Sequence, residues 1–225
     1  PGEVMTIDEL LRATVIASAN DATVALAEAV AGSEESFVAM MNEKAKALGM
    51  KNTNFINSYG LDADGHLTTA HDIAIMSAEL IKHPLIKEYS SVKMDSLRGG
   101  ESELVNTNKL IRYYDGCFGL KTGTTGKAGS CLSATAERNG LTLIAVVLGS
   151  PTSKDRFSGA QKLLDYGFAN YGVKIHVTEG EEVTKGEVSS KSQKKDRLVY
   201  NTKLEDVGVN KSSTKLIVDS LSYWL

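Results

Sequence analysis

Several features that often point directly to a function are scarce in this sequence of 225 residues. Two cysteines are too few for a disulfide framework, and 25 basic against 28 acidic residues leave no basic footprint for nucleic acid. No apolar run reaches the ~18 residues of a membrane-spanning helix. With three prolines, 42% hydrophobic and 24% charged residues, the composition predicts a globular chain of one large domain, or one plus a smaller domain.

A metal-binding pattern and a signal peptide are also missing. The four histidines lack metal-site spacing, because His66 and His71 bracket a loop and a helix start while His83 and His176 lie far away in sequence. We assign all four to structure or surface, and expect neither a metal nor a cofactor. The first residue is Pro1 rather than methionine, so we expect the chain to be cut from a longer protein.

Hydrophobic spacing and capping residues predict helices followed by an antiparallel sheet. A capping box at Thr6-Ile7-Asp8-Glu9 starts a helix that runs to residue 18, and Asn139-Gly140 is typical of a two-residue hairpin turn. This order of elements gives an α/β (α+β) layer architecture. Helices are predicted over residues 20–32, 33–49, 69–83 and 153–168, strands over 117–123, 130–136 and 141–149, and a loop over 52–66.

The character of the sequence changes after Tyr171. Short β-prone runs at 174–177 and 198–200 alternate with turns rich in glycine, lysine and serine, and the charge run at 191–197 is typical of a solvated turn. We predict a main domain over residues 1–170 and a small β-rich C-terminal domain over residues 171–225, whose completeness the sequence leaves open.

Two short motifs carry most of the functional information. Lys121-Thr122-Gly123 is followed by Thr124, and Ser-Ala-Asn stands well upstream at residues 18–20. Both match motifs of serine acyl transferases that act on D-Ala-D-Ala peptides and are trapped by β-lactams. Ser18 and Asn20 fall at the predicted junction between two helices, where short polar side chains can point into a cleft.

The third motif of these enzymes, the nucleophile-bearing Ser-x-x-Lys, does not occur upstream of residue 18. Matches at Ser90, Ser192 and Ser212 lie downstream, and common residue types generate such matches by chance. A nucleophile must open a buried helix so that a lysine one turn on can take its proton. Ser90 instead follows a predicted helix end at His83-Pro84, in what we expect to be a polar connection. The chain is therefore expected to lack its nucleophile.

Longer segments, in the same order, resemble the low-molecular-mass penicillin-binding proteins that are serine-type D-Ala-D-Ala carboxypeptidases. The resemblance covers residues 1–170 and implies a penicillin-recognising transpeptidase/β-lactamase-like domain that is truncated at its N-terminus. In that family a small β-rich domain follows, which fits the change near residue 171. The matching segments are residues 6–29, 55–61, 68–72, 106–110 and 115–148.

The resemblance implies catalytic roles for Ser18, Asn20 and Lys121. Ser18 matches the serine that relays a proton toward the leaving amine, and Asn20 matches the asparagine that holds the substrate backbone. A serine and an asparagine at a helix junction are also ordinary capping residues. Lys121, on a strand edge lining the cleft, can place positive charge beside the free carboxylate of a peptide.

The rest of the strand motif is expected to bind substrate. Thr122 and Thr124 offer hydroxyl groups to the same carboxylate, and the backbone N–H of Thr124 is a candidate oxyanion donor. Gly123 removes the Cβ atom that would block a peptide lying antiparallel along the strand. A Lys-Thr-Gly that only leads a strand into a turn is the alternative interpretation.

The neighbouring cysteines are expected to stay unbridged. Cys117 and Cys131 flank the motif on adjacent predicted strands. With a turn near residues 125–126, Cys131 faces a residue nearer Lys121 than Cys117, so a disulfide would need a register slip.

The family resemblance implies a peptidoglycan stem peptide ending in D-Ala-D-Ala as substrate and β-lactams as inhibitors of the intact parent protein. The location is then extracytoplasmic, whether secreted, periplasmic or at the cell surface, with room for a membrane anchor outside this chain. No nucleic-acid partner is expected. The isolated chain is expected to be inactive and to present an unfilled apolar groove that favours association.

Two alternative functions remain open. A class A β-lactamase should carry Ser-Asp-Asn and a downstream Glu-x-x-Leu-Asn, whereas this chain has Ser-Ala-Asn and, at residues 101–105, a sequence without the asparagine. A noncatalytic peptidoglycan-binding or scaffold protein would keep the cleft without the serine.

Overall fold

The computed structural model describes residues 2–172, and the structural statements below concern this part of the chain. The predicted β-rich domain, the charge run at 191–197 and the Ser-x-x-Lys matches at Ser192 and Ser212 lie outside the described residues.

The five predicted helices form, and two short helices over residues 84–90 and 110–113 were not predicted. Thr6 and Glu9 make the predicted capping box, with the Thr6 backbone N–H donating to the Glu9 carboxylate at 2.8 Å. Ser33, Thr69 and Thr152 each cap a helix by accepting a backbone N–H. The helices are α1 (Ile7–Arg12), a π-helical turn (Ala13–Ala17), α2 (Asn20–Ala31), α3 (Glu34–Leu48), α4 (Ala70–Leu80), α5 (Pro84–Ser90), α6 (Leu110–Tyr113) and α7 (Ser153–Asn170).

A three-stranded antiparallel sheet forms the centre of the described part, and its strands lie side by side in chain order. Asn139 and Gly140, both with positive φ, make the predicted hairpin turn between the last two strands. The strands are β3 (Cys117–Thr125), β4 (Gly129–Arg138) and β5 (Leu141–Ser150). In this register Lys121 pairs with Ser133 and Gly123 pairs with Cys131. β3 is an edge strand, so one side of it is open to a ligand.

The sheet is covered on both faces. Helix α7 packs on one face through a buried cluster that includes Leu132, Ala134, Val147, Phe157 and Leu164. Helix α4 packs on the other face, where the hydroxyl groups of Ser77 and Ser133 lie 2.7 Å apart. Because β4 is covered on both faces, its buried residues fix the register of β3 and therefore the placement of its edge.

A short hairpin that the sequence analysis did not predict lies between α5 and α6. It consists of β1 (Met94–Leu97) and β2 (Ser102–Val105), paired antiparallel so that Met94 faces Val105. Leu97 and Leu104 are its buried residues and pack against Ile16 of the π-helical turn. The hairpin thus supports the segment that leads to Ser18.

The expectation that Ser90 lies in a polar connection is wrong. Ser90 is the last residue of α5, is 1% exposed, and donates its hydroxyl to the Phe118 carbonyl oxygen at 2.6 Å. Pro84 occupies the first turn of this helix, where proline has no intrahelical N–H to lose, so it starts a helix here. At a helix C-terminus, with its proton donated to a carbonyl, Ser90 does not have the placement of a nucleophile.

The prediction for the cysteines is confirmed. Cys117 and Cys131 are both free and half-buried, and Cys131 pairs with Gly123 while Cys117 pairs with Ala136. The two thiols are therefore several residues apart along the sheet.

Candidate active site

Ser18 occupies a backbone conformation that is unusual for a residue other than glycine. It ends the π-helical turn with φ 63 and ψ 40, in the left-handed region, and α2 begins two residues later. π-Helical turns and left-handed residues of this kind are enriched at functional sites. The predicted placement of Ser18 at a helix junction is confirmed.

Lys121 and Ser18 meet at the open edge of the sheet. The Lys121 Nζ atom donates to the Ser18 hydroxyl oxygen at 2.6 Å and to the Thr122 carbonyl oxygen at 3.2 Å. Burial, and to a smaller extent the positive charge of Arg156, lowers the pKa of Lys121 to about 8. Near neutral pH, such an amine can exchange protons with a neighbouring hydroxyl group more readily than an exposed lysine.

Asn20 is the first residue of α2 and is exposed, two positions from Ser18. Its amide makes no hydrogen bond within residues 2–172. Asp21 lies in the first turn of α2 and accepts a hydrogen bond from the Ala22 backbone N–H at 2.9 Å, as expected for a helix N-terminal charge. The structure therefore brings Ser18 and Lys121 into direct contact and leaves Asn20 exposed two residues after Ser18.

The other residues of the strand motif alternate between the two faces of β3. Thr122 is buried, and its hydroxyl donates to the Thr107 hydroxyl at 2.6 Å. Gly123 is exposed, and a Cβ atom built there would meet nothing within 4 Å. Thr124 is also exposed and donates its hydroxyl to the Gly123 carbonyl at 2.8 Å. The edge of β3 is thus open at the position where glycine had been expected to admit a peptide.

Arg156, on α7, is a site residue that the sequence analysis missed. Its Nη1 atom lies 2.8 Å from the Gly123 carbonyl oxygen, 2.9 Å from the Thr124 hydroxyl and 3.3 Å from the Cys131 carbonyl oxygen. It is 7% exposed and forms no salt bridge with any carboxylate of residues 2–172. Burial lowers the pKa of this guanidinium. A buried cation without a counter-ion favours an anionic ligand nearby.

Thr107 is the second residue that was missed as a contributor to the site. The segment at residues 106–110 resembles the family, but no role followed from it, because nothing local connects position 107 to position 122.

The sequence contains even less indication that Arg156 belongs to the site. Its position on the amphipathic helix α7 gave no reason to separate it from the other charged residues there.

Asp62, in the loop that precedes α4, holds the turn that follows β3 by hydrogen bonds. The Asp62 carboxylate accepts the Thr125 hydroxyl at 2.6 Å and the Lys127 backbone N–H at 3.0 Å. These hydrogen bonds lower the pKa of Asp62, which keeps the carboxylate charged. The turn is thereby held beside the end of the strand that carries Lys121.

No three histidine, cysteine, aspartate or glutamate side chains in the described part of the chain lie together in a group that could hold a metal ion. In the same part of the chain, no helix combines the length and the apolar character needed to cross a membrane.

Two proteins similar to this chain are both named D-alanyl-D-alanine carboxypeptidases. D-Alanyl-D-alanine carboxypeptidase DacF from Bacillus subtilis is 45% identical over 197 residues, which are 86% of this chain and 51% of the relative. D-Alanyl-D-alanine carboxypeptidase DacC from Escherichia coli is 41% identical over 169 residues, 75% of this chain and 42% of the relative. The chain thus spans about half the length of these relatives, or less.

Solved structures share the fold. Penicillin-binding protein D2 from Listeria monocytogenes, in a cefotaxime-bound form, is 38% identical with a TM-score of 0.68, covering 73% of this chain and 67% of that chain. Penicillin-binding protein 6B from Escherichia coli is 35% identical with a TM-score of 0.73, covering 82% and 58%. The described part has the transpeptidase/β-lactamase-like fold of the penicillin-binding proteins, as predicted.

The family profile of D-alanyl-D-alanine carboxypeptidase, peptidase family S11, matches residues 1–152, which include Ser18, Asn20 and the whole Lys-Thr-Gly strand. Together with the Ser18–Lys121 contact, this match shows that the chain belongs to the S11 family of D-alanyl-D-alanine carboxypeptidases.

Proposed function

We propose that this chain forms most of the active site of a serine-type D-Ala-D-Ala carboxypeptidase, a penicillin-binding protein that removes the terminal D-Ala from peptidoglycan stem peptides. The observation that carries the proposal is the 2.6 Å contact between Lys121 Nζ and Ser18 Oγ at the open edge of β3, in a chain that belongs to this family. The nucleophile comes from a Ser-x-x-Lys segment outside residues 1–225.

In the proposed reaction, the nucleophilic hydroxyl attacks the carbonyl carbon of the penultimate D-Ala and forms an acyl-enzyme ester. The bond to the nitrogen of the last D-Ala breaks, and Ser18 passes a proton to that nitrogen, so the amino acid leaves as an amine. Water then hydrolyses the ester and returns a proton to the site. Lys121, with its lowered pKa of about 8, supports the proton transfer through Ser18.

The substrate is proposed to lie along β3 with its free carboxylate toward the positive charges. Lys121 and Arg156 place two cations near this edge, and neither forms a salt bridge within residues 2–172. Thr122 and Thr124 contribute hydroxyl groups, Asn20 holds the substrate backbone, and the Thr124 backbone N–H is one oxyanion donor. A terminal carboxylate supplies the missing negative charge.

We further propose that the parent protein works outside the cytoplasm, where peptidoglycan lies, and that it takes part in cell-wall synthesis and cell shape. A membrane anchor, if the parent protein has one, lies outside this chain. β-Lactams acylate the same nucleophile. The penicillin-binding protein from Listeria monocytogenes, solved with cefotaxime and with ampicillin bound, supports this part of the proposal.

The test joins the chain to the segment encoded immediately upstream of residue 1 and incubates the product with fluorescent benzylpenicillin. A stable covalent adduct and release of D-alanine from a peptide ending in D-Ala-D-Ala are expected, whereas the 225-residue chain alone should give neither. Absence of any adduct in the joined protein would overturn the proposal. Rapid β-lactam turnover would instead support the class A β-lactamase alternative, and peptide binding without chemistry the noncatalytic one.

A further inference from the structure

The turn at residues 106–108 contacts both elements that carry the site motifs. The Thr107 backbone N–H donates to the Ile16 carbonyl oxygen at 3.2 Å, in the π-helical turn that ends at Ser18. The Asn108 side-chain amide donates to the Gly119 carbonyl oxygen at 2.8 Å, two residues before Lys121 in β3. One short turn therefore joins the two segments from which Ser18 and Lys121 project.

The two asparagines of this turn are held rigidly. Asn106 and Asn108 are 3% and 0% exposed. The Asn106 amide donates to the Ser90 and Val92 carbonyl oxygens at 3.1 and 2.8 Å, and its side-chain oxygen accepts the Asn108 backbone N–H at 2.9 Å. The Asn108 side-chain oxygen accepts the Leu110 backbone N–H at 3.1 Å. A buried amide network satisfied in this way specifies a single geometry.

Thr107 adds a contact inside the site. Its hydroxyl accepts the proton of Thr122 at 2.6 Å, and within residues 2–172 it donates to no acceptor. Two hydroxyl groups hold two protons, and the hydrogen bond between them uses one. The Thr107–Thr122 pair therefore keeps one proton for a ligand, and the orientation of Thr122 depends on its partner.

We propose that the turn Asn106–Thr107–Asn108 is a positioning element of the active site. It sets the placement of the Ser18 segment relative to the Lys121 strand, and through the Thr107–Thr122 pair it presents the remaining hydroxyl proton to the carboxylate end of the substrate. The proposal rests on the proposed function for its substrate, but its structural part concerns this chain alone.

A purely structural role would predict loss of stability with no selectivity among substrates. The test therefore compares Thr107→Val, which removes the hydroxyl at nearly constant shape, with Thr107→Ser, which keeps it. Thr135→Val is the matched control, because Thr135 is a threonine of the same domain, is 0% exposed, and has a hydroxyl without a hydrogen-bond partner among residues 2–172.

In the joined protein, kcat/KM is measured for a peptide ending in free D-Ala-D-Ala and for the same peptide with an amidated C-terminus. Thr107→Val should lower the ratio of the two values by about tenfold, the order of one lost hydrogen bond, whereas Thr107→Ser should stay near the wild-type ratio. Thr135→Val should leave the ratio unchanged. An equal loss on both peptides in Thr107→Val, or no rescue by serine, would overturn the role assigned to Thr107.

The positioning role is measured on the 225-residue chain by amide hydrogen exchange. Asn108→Ala should speed exchange both in peptides covering residues 13–20 and in peptides covering residues 119–125, because it removes the bond to Gly119 and loosens the turn that holds Ile16. Thr135→Val, which keeps every hydrogen bond of the turn, should speed exchange in neither region. Faster exchange confined to residues 106–110 would overturn the positioning role.

The two measurements also separate this proposal from the proposed function. If the joined wild-type protein forms no penicillin adduct and releases no D-alanine, the proposed function fails, and hydrogen exchange still decides the positioning role. If Asn108→Ala does not fold, Asn108→Ser is used in its place, with the same two regions as the readout, because it removes the amide that donates to Gly119 and keeps a small hydroxyl acceptor near the Leu110 backbone N–H.

Discussion

Lys121 and Ser18 are separated by 103 residues in sequence, yet the lysine ammonium donates to the serine hydroxyl at 2.6 Å. The contact joins the end of a π-helical turn to the middle of an edge strand. Lys121 is largely buried at this place, and its removal from water is the main reason for its lowered pKa.

This burial predicts a pH dependence of stability. The folded-state pKa of Lys121 is about 8 and its ordinary value is 10.5, so between these pH values the unfolded chain binds more protons. The cost of burying the charge is therefore fully present below pH 8 and disappears as the pH rises toward 10.5. Lys121→Met should raise the free energy of unfolding by about 1–3 kcal/mol at pH 7, with the difference shrinking toward alkaline pH.

The measurement is urea unfolding of both proteins at several pH values from 7 to about 10. Lys127→Met, which removes a lysine with a 73% exposed side chain, controls for the change in net charge. A constant difference between Lys121→Met and the wild type across this range would contradict the prediction.

The left-handed backbone of Ser18 predicts an unusual order of substitutions. Ser18→Gly should be more stable than Ser18→Ala by about 1 kcal/mol, because alanine pays a steric cost at φ 63 that glycine does not. Denaturant midpoints of the two variants provide the measurement. Ser91, which has φ −83, is the matched control, and there glycine should offer no advantage. The same order at both positions would show that backbone strain is not the cause.

A substitution at Gly123 should impair the reaction with ligand while leaving the stability of the fold nearly unchanged. A Cβ atom at this position meets open space, so Gly123→Ala should change the free energy of unfolding by less than about 0.5 kcal/mol. In the joined protein it should slow penicillin acylation by about tenfold or more, because the methyl group lies where the ligand approaches β3.

Gly129→Ala provides the opposite case. This residue has φ +65, and its Cβ atom would lie 2.9 Å from the Ser150 carbonyl oxygen, so the variant should lose at least about 1 kcal/mol of stability. Unimpaired acylation in Gly123→Ala would argue against a ligand lying along this edge.

Replacing Thr135 with valine is predicted to stabilise the fold. Its hydroxyl is fully buried in β4 and has no hydrogen-bond partner in the described part of the chain, so no hydrogen bond offsets the cost of its desolvation. Thr135→Val keeps the shape and should raise the free energy of unfolding by about 1 kcal/mol. Thermal and urea unfolding measure the effect, and a loss of stability in Thr135→Val would contradict the prediction.

The parts of the fold that local chemistry determines could be predicted from sequence. Thr6 and Glu9, Thr69 and the Asn139-Gly140 turn act within a few residues of themselves, and the structure confirms each one. The hairpin of β1 and β2 was missed because its four-residue strands, such as Met94–Leu97, bury too few side chains to show a clear alternation.

In the candidate site, too, some residues could be predicted from sequence and others could not. Ser18 and Lys121 were found because each belongs to a motif, and the family resemblance supplied the link between them. Arg156 and Thr107 act through contacts with residues 32 and 15 positions away, and neither stands in a motif. Ser90 was misplaced because a proline was taken to end a helix where it begins one.

Arg156 also has a practical consequence for cutting this protein into smaller pieces. A shortened version that stops after Ser150 would keep both motifs and all three strands, yet the Gly123 carbonyl and the Thr124 hydroxyl would lose their donor from α7. Boundaries drawn around the motifs alone would therefore yield a piece with an altered charge at its cleft. A minimal version must extend at least through Asn170.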